Sequence, residues 1–261
     1  MPLPEPSDSS IAVVTGASSG IGAELARGLA RRGHNVGLVA RRRDRLEELR
    51  TELGGVRVEV LECDLEDPAA RDDLAGRIDA LGLRVDVLCN NAGFGTYDDF
   101  TSLDRERELS EVRTNVEAVV DLTGRWLAPM AERGAGAVLN TASTSAFQPI
   151  PGNATYAASK AFVLSFSEAL HTEVAGRGVT VTALCPGPVV TEFQEVASAE
   201  SFVARLPGPL WVSATDVAER ALRGLERGAR VVTPGGANRA GAALARLTPH
   251  SVLLRVLRAA G

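Results

Sequence analysis

A tyrosine and a lysine are spaced so that they could act together in proton transfer. Lys160 is the one lysine in the chain, and it follows Tyr156, one of two tyrosines, by four residues. Residues four apart share one face of a helix, with their Cβ atoms about 5–6 Å apart. An ammonium group beside a phenol favours the phenolate and lowers the phenol pKa, which suits a general acid or base near neutral pH. The alternative is an ordinary pair on a helix surface.

A glycine-rich turn follows the first predicted strand and opens a helix. The segment from Thr15 to Gly22 reads TGASSGIG. Glycines permit a tight turn and a close approach of the backbone to a pyrophosphate, and a helix N-terminus adds N–H donors and a favourable dipole. In this strand–turn–helix context we predict a dinucleotide site rather than a simple turn. Its residues would be Gly16, Ser18, Ser19, Gly20, Ile21 and Gly22.

The end of the second predicted strand indicates which dinucleotide binds. A site for NAD usually carries an acidic residue there, whereas this chain has arginines at 41, 42 and 43. Arg41 could hold the 2′-phosphate of NADPH and stack on the adenine, and Arg42 is assigned to the same site. We therefore predict NADP(H) as the preferred cofactor, with NAD(H) as the alternative. Asp64 and Leu65 would border the adenine, unless Asp64 caps the next helix.

Apolar runs alternate with stretches of helical period along the chain. The predicted strands are Ile11–Thr15, Asn35–Val39, Val56–Leu61, Val85–Cys89, Ala137–Thr141, Val179–Cys185 and Ala229–Thr233. The predicted helices are Ile21–Arg32, Arg42–Leu53, Ala69–Leu81, Arg105–Arg133, Thr155–Arg177 and Thr215–Arg227. Mostly continuous apolar strands are typical of a parallel sheet buried on both faces. We predict one α/β domain, a Rossmann-like, doubly wound, seven-stranded parallel sheet with helices on both faces.

The same pattern divides the chain into regions. Residues 1–9 are rich in proline and serine and are predicted to be disordered. Residues 10–235 form the predicted nucleotide-binding catalytic domain, with an irregular substrate loop at 189–212. The tail at 236–261 contains an apolar, arginine-bearing stretch, Ser251–Arg258. We expect this tail to pack on the domain or on a partner subunit; covering the substrate mouth and lying on a membrane surface are the alternatives.

Composition excludes several classes of protein. A net charge of −5 and a pI near 5.4 argue against a nucleic-acid surface. Cys63, Cys89 and Cys185 are predicted to be buried, reduced thiols, and the three histidines share no ligand spacing, so we expect no metal. The sequence shows neither a signal peptide nor an apolar run long enough to span a membrane. We expect a cytoplasmic protein without membrane contact.

Several motifs follow one another in an order that resembles a known superfamily. They are Thr15 to Gly22, Asn90-Asn91-Ala92-Gly93, Asn115, Ser143, Tyr156-x-x-x-Lys160 and Pro186-Gly187. This set resembles the short-chain dehydrogenase/reductase superfamily in its single-domain form, over nearly all of residues 9–235. The segment Tyr156–Leu170 and the tail are similar to the branch that includes DltE-type oxidoreductases.

The resemblance implies a role for each matching residue. Ser143 would donate to a substrate carbonyl oxygen, Tyr156 would deliver the proton, and Lys160 would lower the Tyr156 pKa and hold the nicotinamide ribose. Asn115 would anchor a water that feeds protons to Lys160, or else serve as a structural hydrogen-bonding group. Further cofactor contacts implied by the resemblance are Asn91, Ala92, Gly93, Pro186, Gly187, Val189 and Thr191.

The resemblance also implies an activity, hydride transfer between NADPH and a carbonyl group that yields an alcohol. The alternatives are an alcohol dehydrogenase working in the oxidative direction and a non-catalytic dinucleotide sensor. Apolar residues predicted to line the pocket favour a hydrophobic ketone or aldehyde as substrate; they are Phe94, Phe147, Phe193 and Trp211. Members of this family usually dimerise through the long helices, so we expect a homodimer or homotetramer.

Overall fold

Seven parallel strands form one sheet at the centre of the molecule. The structure is a computed structural model that describes residues 3–193, 208–249, 251–252 and 254–255. The strands are β1 (Ser10–Thr15), β2 (Val36–Ala40), β3 (Val58–Glu62), β4 (Arg84–Asn90), β5 (Gly136–Thr141), β6 (Val179–Leu184) and β7 (Val231–Val232). Their order in the sheet is β3-β2-β1-β4-β5-β6-β7. This is a doubly wound sheet, and it confirms the predicted fold.

Helices connect the strands and cover both faces of the sheet. Within the described residues they are α1 (Gly20–Arg31), α2 (Arg43–Glu52), α3 (Pro68–Ala80), α4 (Arg105–Val112), α5 (Ala118–Glu132), α6 (Ala154–Glu173), α7 (Ala214–Glu226) and α8 (Gly236–Leu247). The long helix predicted between Arg105 and Arg133 is interrupted by a π-helical turn at Arg113–Glu117. Such turns are frequent at functional sites, and this one contains Asn115.

The strands bury alternate side chains in two different cores. Ala12 and Val14 of β1 belong to one apolar cluster, which α1 and α7 cover, whereas Ile11 and Val13 belong to the cluster on the opposite face. This division follows from the two-residue repeat of a strand. Burial on both faces explains why the central strands, from β2 through β1, β4 and β5 to β6, are mostly continuous apolar runs in the sequence.

Both ends of the chain differ from their predictions. Residues 3–9 of the N-terminal segment, which was predicted to be disordered, make defined contacts: Leu3 belongs to the apolar cluster that α1 and α7 cover, and the Ser7 carbonyl accepts a hydrogen bond from the Asn35 side chain. The tail begins with helix α8, which the sequence analysis did not predict. Of the predicted apolar stretch Ser251–Arg258, residues 253 and 256–258 lie outside the described residues.

The cysteines agree with their prediction. Each of the three is buried and carries a free thiol in the described part of the chain. Burial raises the pKa of Cys89 to about 12 and that of Cys63 to about 11, so these thiols stay protonated and unreactive. Among the described helices, none has both the length and the apolar character that crossing a membrane requires.

Candidate active site

A cleft of about 700 Å³ opens at the carboxyl ends of the strands. Ligands of doubly wound sheets bind at this edge, where the strand order reverses, here between β1 and β4. The cleft brings together most of the residues assigned from the sequence. Those that line it are Gly16, Ser18, Ser19, Gly20, Ile21, Arg41, Arg42, Asp64, Leu65, Asn91, Ala92, Gly93, Phe94, Ser143, Tyr156, Lys160, Pro186, Gly187, Val189, Thr191 and Phe193.

The glycine-rich turn is packed against the segment after β4. Gly16 has φ +65°, and a Cβ there would lie 2.9 Å from the Ala92 Cα. The Thr15 hydroxyl accepts from the Asn91 and Ala92 backbone N–H groups at 2.9 and 3.0 Å, which fixes the two segments together. Gly22 does not line the cleft: a Cβ there would lie 2.2 Å from the Gly16 oxygen. Gly22 therefore allows the backbone of α1 to pack closely against Gly16.

Two arginines lie at the outer end of the cleft, with different partners. Arg42 donates to the Ser18 hydroxyl at 3.0 Å and pairs with Glu192 at 2.8 Å, so it lies against the glycine-rich turn. The Arg41 side chain is 65% exposed and lies 3.6 Å from Glu66. Arg42 is thus the more firmly positioned of the two cations.

Asp64 lines the same end of the cleft, and its place beside an adenine stays a prediction. Its carboxylate accepts from the Glu66 backbone N–H at 3.1 Å. The alternative, in which Asp64 caps the following helix, is wrong because Asp67 is the N-cap of α3 and accepts from the Ala69 N–H at 2.9 Å.

Three buried polar side chains meet at the inner end of the cleft. Ser143 follows β5, while Tyr156 and Lys160 lie one turn apart on α6. The Ser143 hydroxyl hydrogen-bonds the Tyr156 phenol. The Lys160 Nζ donates to the Thr141 carbonyl at 2.9 Å and lies 5.6 Å from the centre of the Tyr156 ring. The helix and the strand end together place an acid, a donor and a cation around one point.

The expected drop in the Tyr156 pKa is wrong for this structure. Burial raises the pKa of Tyr156 above its ordinary value, and Tyr97 and Glu111 add to the rise, whereas the hydrogen bond with Ser143 partly offsets it. Burial also lowers the pKa of Lys160 to about 8, although Glu111 and Cys185 oppose that shift. Both effects arise because a buried site disfavours the charged form of each group.

Asn115 is buried behind the cleft rather than on its wall. Its side-chain oxygen accepts from the Phe94 N–H at 3.2 Å, and its side-chain nitrogen donates to the Phe94 carbonyl at 2.8 Å and to the Ser159 hydroxyl at 3.1 Å. These contacts favour the structural alternative for the Asn115 side chain, which holds the segment after β4 against α6.

The apolar end of the cleft differs in part from its prediction. The Phe193 ring lies 5.5 Å from the Tyr156 ring, and Phe94 lies under the Arg107 guanidinium. Phe147 was predicted to line the pocket, and this is wrong. The residue is buried in the cluster with Val163 and Leu164, because the turn at Thr144–Phe147 directs it into the core. The same prediction for Trp211 is also wrong. Trp211 is half-buried and does not line the cleft, whereas its neighbour Leu210 does.

Several residues of the cleft were not assigned from the sequence. Tyr97 is the second of the two tyrosines, and its rarity is a signal that could have identified it. Asn238 of α8 donates to the Leu210 and Pro234 carbonyls at 2.9 and 3.1 Å, which ties α8 to the cleft. Other unassigned lining residues include Arg107, Gln148, Ile150 and Glu192.

Comparison with known proteins relates this cleft to one family. Residues 10–201 match the family model described as short chain dehydrogenase. The chain is 37% identical over 250 residues to a Streptomyces coelicolor protein with the provisional name ketoacyl reductase, across 88% of this chain and 95% of that one.

Two solved structures extend the comparison. A short-chain dehydrogenase from Sphingobium yanoikuyae in complex with NADPH is 34% identical, with a TM-score of 0.81 over 90% of this chain and 91% of that one. A single-site variant of actinorhodin polyketide ketoreductase with NADPH is 32% identical, with a TM-score of 0.80 over 89% and 98%. The finer resemblance to DltE-type oxidoreductases stays a prediction.

Proposed function

Because the chain belongs to the short-chain dehydrogenase/reductase family, we propose that it reduces a carbonyl group to an alcohol with NADPH. One observation carries this proposal. Ser143, Tyr156 and Lys160 lie together at the inner end of the cleft whose outer end holds the glycine-rich turn and Arg42. A dinucleotide lying along the cleft would span the phosphate-binding end and the proton-donating end.

The residues of the outer end fit NADPH. The glycine-rich turn lines the cleft, and α1 begins within the turn at Gly20. A pyrophosphate would bind there, with N–H donors from the helix N-terminus. Arg42 and Ser18 together would hold a 2′-phosphate through charge-assisted hydrogen bonds. Two related structures named above contain NADPH, which supports the same cofactor here.

Each catalytic side chain has a definable task. NADPH, when bound, supplies the hydride. Ser143 donates to the carbonyl oxygen and stabilises the charge that develops on it. Tyr156 holds its proton at neutral pH because burial raises its pKa, so it is ready to protonate that oxygen. Lys160 is fixed through the Thr141 carbonyl and restores the proton to the phenol.

The walls around Tyr156 favour an apolar substrate. Rings and aliphatic side chains line the same cleft as the phenol, and the Phe193 ring lies 5.5 Å from the Tyr156 ring. These lining residues are Phe94, Tyr97, Ile150, Phe193 and Leu210. They would exclude water and accept a hydrophobic ketone or aldehyde. The related protein named ketoacyl reductase is consistent with an oxo group on an acyl chain.

The buried thiols and the exposed apolar side chains support proposals about cellular location and subunit assembly. Buried, free thiols fit a reducing compartment such as the cytoplasm. Val120 of α5 and Phe162 of α6 are exposed large apolar side chains on the helices expected to dimerise. An assembly of identical subunits would cover them. Light scattering on the purified protein tests this, and a monomer at micromolar concentration would contradict it.

A binding and turnover assay tests the proposed function. The purified protein is titrated with NADPH and with NADH while nicotinamide fluorescence is measured, and a panel of hydrophobic ketones and aldehydes is then added. We expect tighter binding of NADPH and its oxidation by at least one apolar carbonyl compound. Binding without turnover would favour the dinucleotide sensor. Turnover confined to alcohols with NADP⁺ would favour the oxidative alternative, and absence of binding would overturn the proposal.

A further inference from the structure

Two buried carboxyl groups lie beside the catalytic residues and have no role in the mechanism above. Glu108 and Glu111 lie on successive turns of α4, and their exposed fractions are 6% and 0%. Helix α4 packs against α6, which carries Tyr156 and Lys160. A carboxylate is rarely buried unless it is paired, hydrogen-bonded or protonated. We therefore expect hydrogen bonds or a proton to stabilise these two buried side chains.

The Thr96 hydroxyl links the two carboxyl groups. Its oxygen lies 2.5 Å from Glu108 Oε1 and 3.2 Å from Glu111 Oε2. A hydroxyl group has one proton to donate, so two ionised carboxylates would leave one of these contacts without a proton. If Glu111 carries a proton, it donates to Thr96 while Thr96 donates to Glu108. The three groups are therefore arranged to share one proton.

The outer end of this chain of groups reaches the surface. Glu108 Oε2 accepts a hydrogen bond from the Thr155 hydroxyl, and Thr155 is partly exposed at the start of α6. Asn153 donates to the Thr96 carbonyl at 2.6 Å and holds the Thr96 segment in place. A continuous path of exchangeable protons thus runs from Thr155 through Glu108 and Thr96 to Glu111.

The inner end of the path lies close enough to the active site for Glu111 to influence Lys160 and Tyr156 electrostatically. Glu111 Oε1 is buried and has no hydrogen-bond partner among the described residues. Burial and then Glu108 raise the pKa of Glu111 to about 7, although Thr96, Lys160 and Arg107 oppose the rise. The charge of Glu111 in turn helps to raise the pKa of Lys160 and the pKa of Tyr156.

The three pKa shifts form a series. Glu111 has a pKa of about 7, Lys160 has a pKa of about 8, and burial raises the pKa of Tyr156 above its ordinary value. The order of these values favours proton transfer from Glu111 towards Lys160 and on to the Tyr156 phenolate. Tyr97 also faces this region, and burial followed by the charge of Glu111 raises its pKa to about 12.

We propose that Glu111 stores the proton that reloads Tyr156 through Lys160 after each reduction; this role rests on the proposed function. In each turnover the O–H bond of Tyr156 breaks and the O–H bond of the alcohol forms. The phenolate then takes a proton from Lys160, and Lys160 takes one from Glu111, directly or through one water molecule. Solvent refills Glu111 through Thr155, Glu108 and Thr96, so one solvent proton is consumed for each hydride that NADPH supplies.

The pH profile of Glu111→Gln tests the proposal. In the unmodified protein, kcat for carbonyl reduction should fall as the pH rises through about 7, the pKa of Glu111. The variant should lose this step and show kcat at pH 6 lower by about 10-fold, less than the ~10²–10⁴-fold typical of a direct general acid. Imidazole buffer should restore part of the lost kcat. The KM for NADPH and the KM for the carbonyl substrate should change little. A variant with the unmodified kcat and pH profile would overturn the proposal.

Two further variants separate proton storage from a structural effect. Thr96→Val breaks the link between the two carboxyl groups and should remove the same step in the profile. Glu106→Gln changes the same charge on the same helix at an exposed position, and its profile should match that of the unmodified protein. A Thr96→Val profile identical to the unmodified one would contradict the path through Thr96.

A measurement without cofactor gives an independent test. The Glu111 pKa rises from 4.5 to about 7 on folding, so the unmodified protein loses stability as the pH rises through that interval. The Tm of Glu111→Gln should exceed that of the unmodified protein at pH 8 by at least about 2–4 °C, and the difference should shrink towards pH 5. A difference independent of pH would overturn the proposal. Failure of the proposed function would appear separately, as absence of turnover in the unmodified protein.

Discussion

Arg42 Nη1 lies 2.8 Å from Glu192 Oε2, and this ion pair joins the end of β2 to the segment after β6. The same segment rests on the glycine-rich turn, because a Cβ at Gly20 would lie 3.0 Å from the Thr191 Cγ2. Glu192 also hydrogen-bonds Ser19. The ion pair therefore lies in the part of the cleft proposed to bind the cofactor, and its carboxylate would compete with a 2′-phosphate for Arg42.

Replacing Glu192 by glutamine should strengthen NADPH binding. The hydrogen bond with Arg42 holds the pKa of Glu192 below its usual value, so the competing charge is present throughout the neutral range. A partly exposed ion pair is worth about 0.2–1 kcal/mol, so the Kd for NADPH should fall by about 1.4-fold to fivefold, and that for NADH should change less. Fluorescence titration measures both. Glu47→Gln, which removes ion pairs with Arg43 and Arg50 on the outer face of α2, is the control.

Replacing Arg42 by alanine should have the opposite effect. Hydrogen bonds to charged groups contribute about 1.5–3 kcal/mol, so the Kd for NADPH should rise about 10- to 100-fold while the Kd for NADH changes little. Arg41→Ala should have a smaller effect, because the Arg41 side chain is 65% exposed and lies beside Glu66. Equal loss of NADPH and NADH binding in the Arg42 variant would contradict the assignment of the 2′-phosphate to this residue.

Alanine substitutions at two helical glycines should have different effects on NADPH binding and on stability. A Cβ at Gly22 would lie 2.2 Å from the Gly16 oxygen and 2.6 Å from the Asn91 side chain, so Gly22→Ala should displace the glycine-rich turn and abolish NADPH binding. Gly76 lies in α3, and a Cβ added there would have no described atom within 4 Å. Gly76→Ala should leave binding unchanged and raise stability by up to about 1 kcal/mol. Calorimetric titration and urea unfolding distinguish the two results.

A buried amide network below the active site should be important for stability. Asn140 accepts from the Asn90 side chain at 2.9 Å and donates to the Ser167 hydroxyl at 3.0 Å, and all three residues are buried. Asn140→Ala removes two hydrogen bonds, although Asn90 still donates to the Thr123 hydroxyl at 3.0 Å and Ser167 to the Val163 carbonyl at 2.6 Å. Each lost bond contributes about 0.5–1.5 kcal/mol, so the free energy of unfolding in urea should fall by about 1–3 kcal/mol. A fall below about 0.5 kcal/mol would mean that water replaces the lost bonds.

The parts of the protein that follow from local sequence were predictable. The five central strands were recognisable because they are buried on both faces and therefore read as apolar runs; they are β1, β2, β4, β5 and β6. The edge strands β3 and β7 are mostly half-buried. The cleft residues from Gly16 to Ile21, and the group of Ser143, Tyr156 and Lys160, follow from motifs of fixed spacing. Short motifs of this kind specify a local backbone shape, and the strand ends bring them to one edge of the sheet.

Features that depend on tertiary contacts were not predictable in the same way. Helix α8 begins with Gly235-Gly236 and buries Asn238 and Ala242, so its sequence lacks an apolar face of large side chains. The shift in the Tyr156 pKa depends on burial, which a four-residue spacing does not reveal. The pairing of Arg42 with Glu192 joins residues far apart in the chain, and no local pattern in the sequence indicates Glu192 as the partner.

The most direct test of the account is the rate of hydride transfer in Tyr156→Phe at saturating NADPH, with a carbonyl substrate that the unmodified protein reduces. The phenylalanine keeps the ring that packs against Phe193 and removes the hydroxyl that hydrogen-bonds Ser143. We predict that the Kd for NADPH stays within about twofold, while the rate falls by about 10²–10⁴-fold, the contribution of a general acid. A Tyr156→Phe variant that reduces the substrate at the unmodified rate would contradict the central claim that Tyr156 donates the proton.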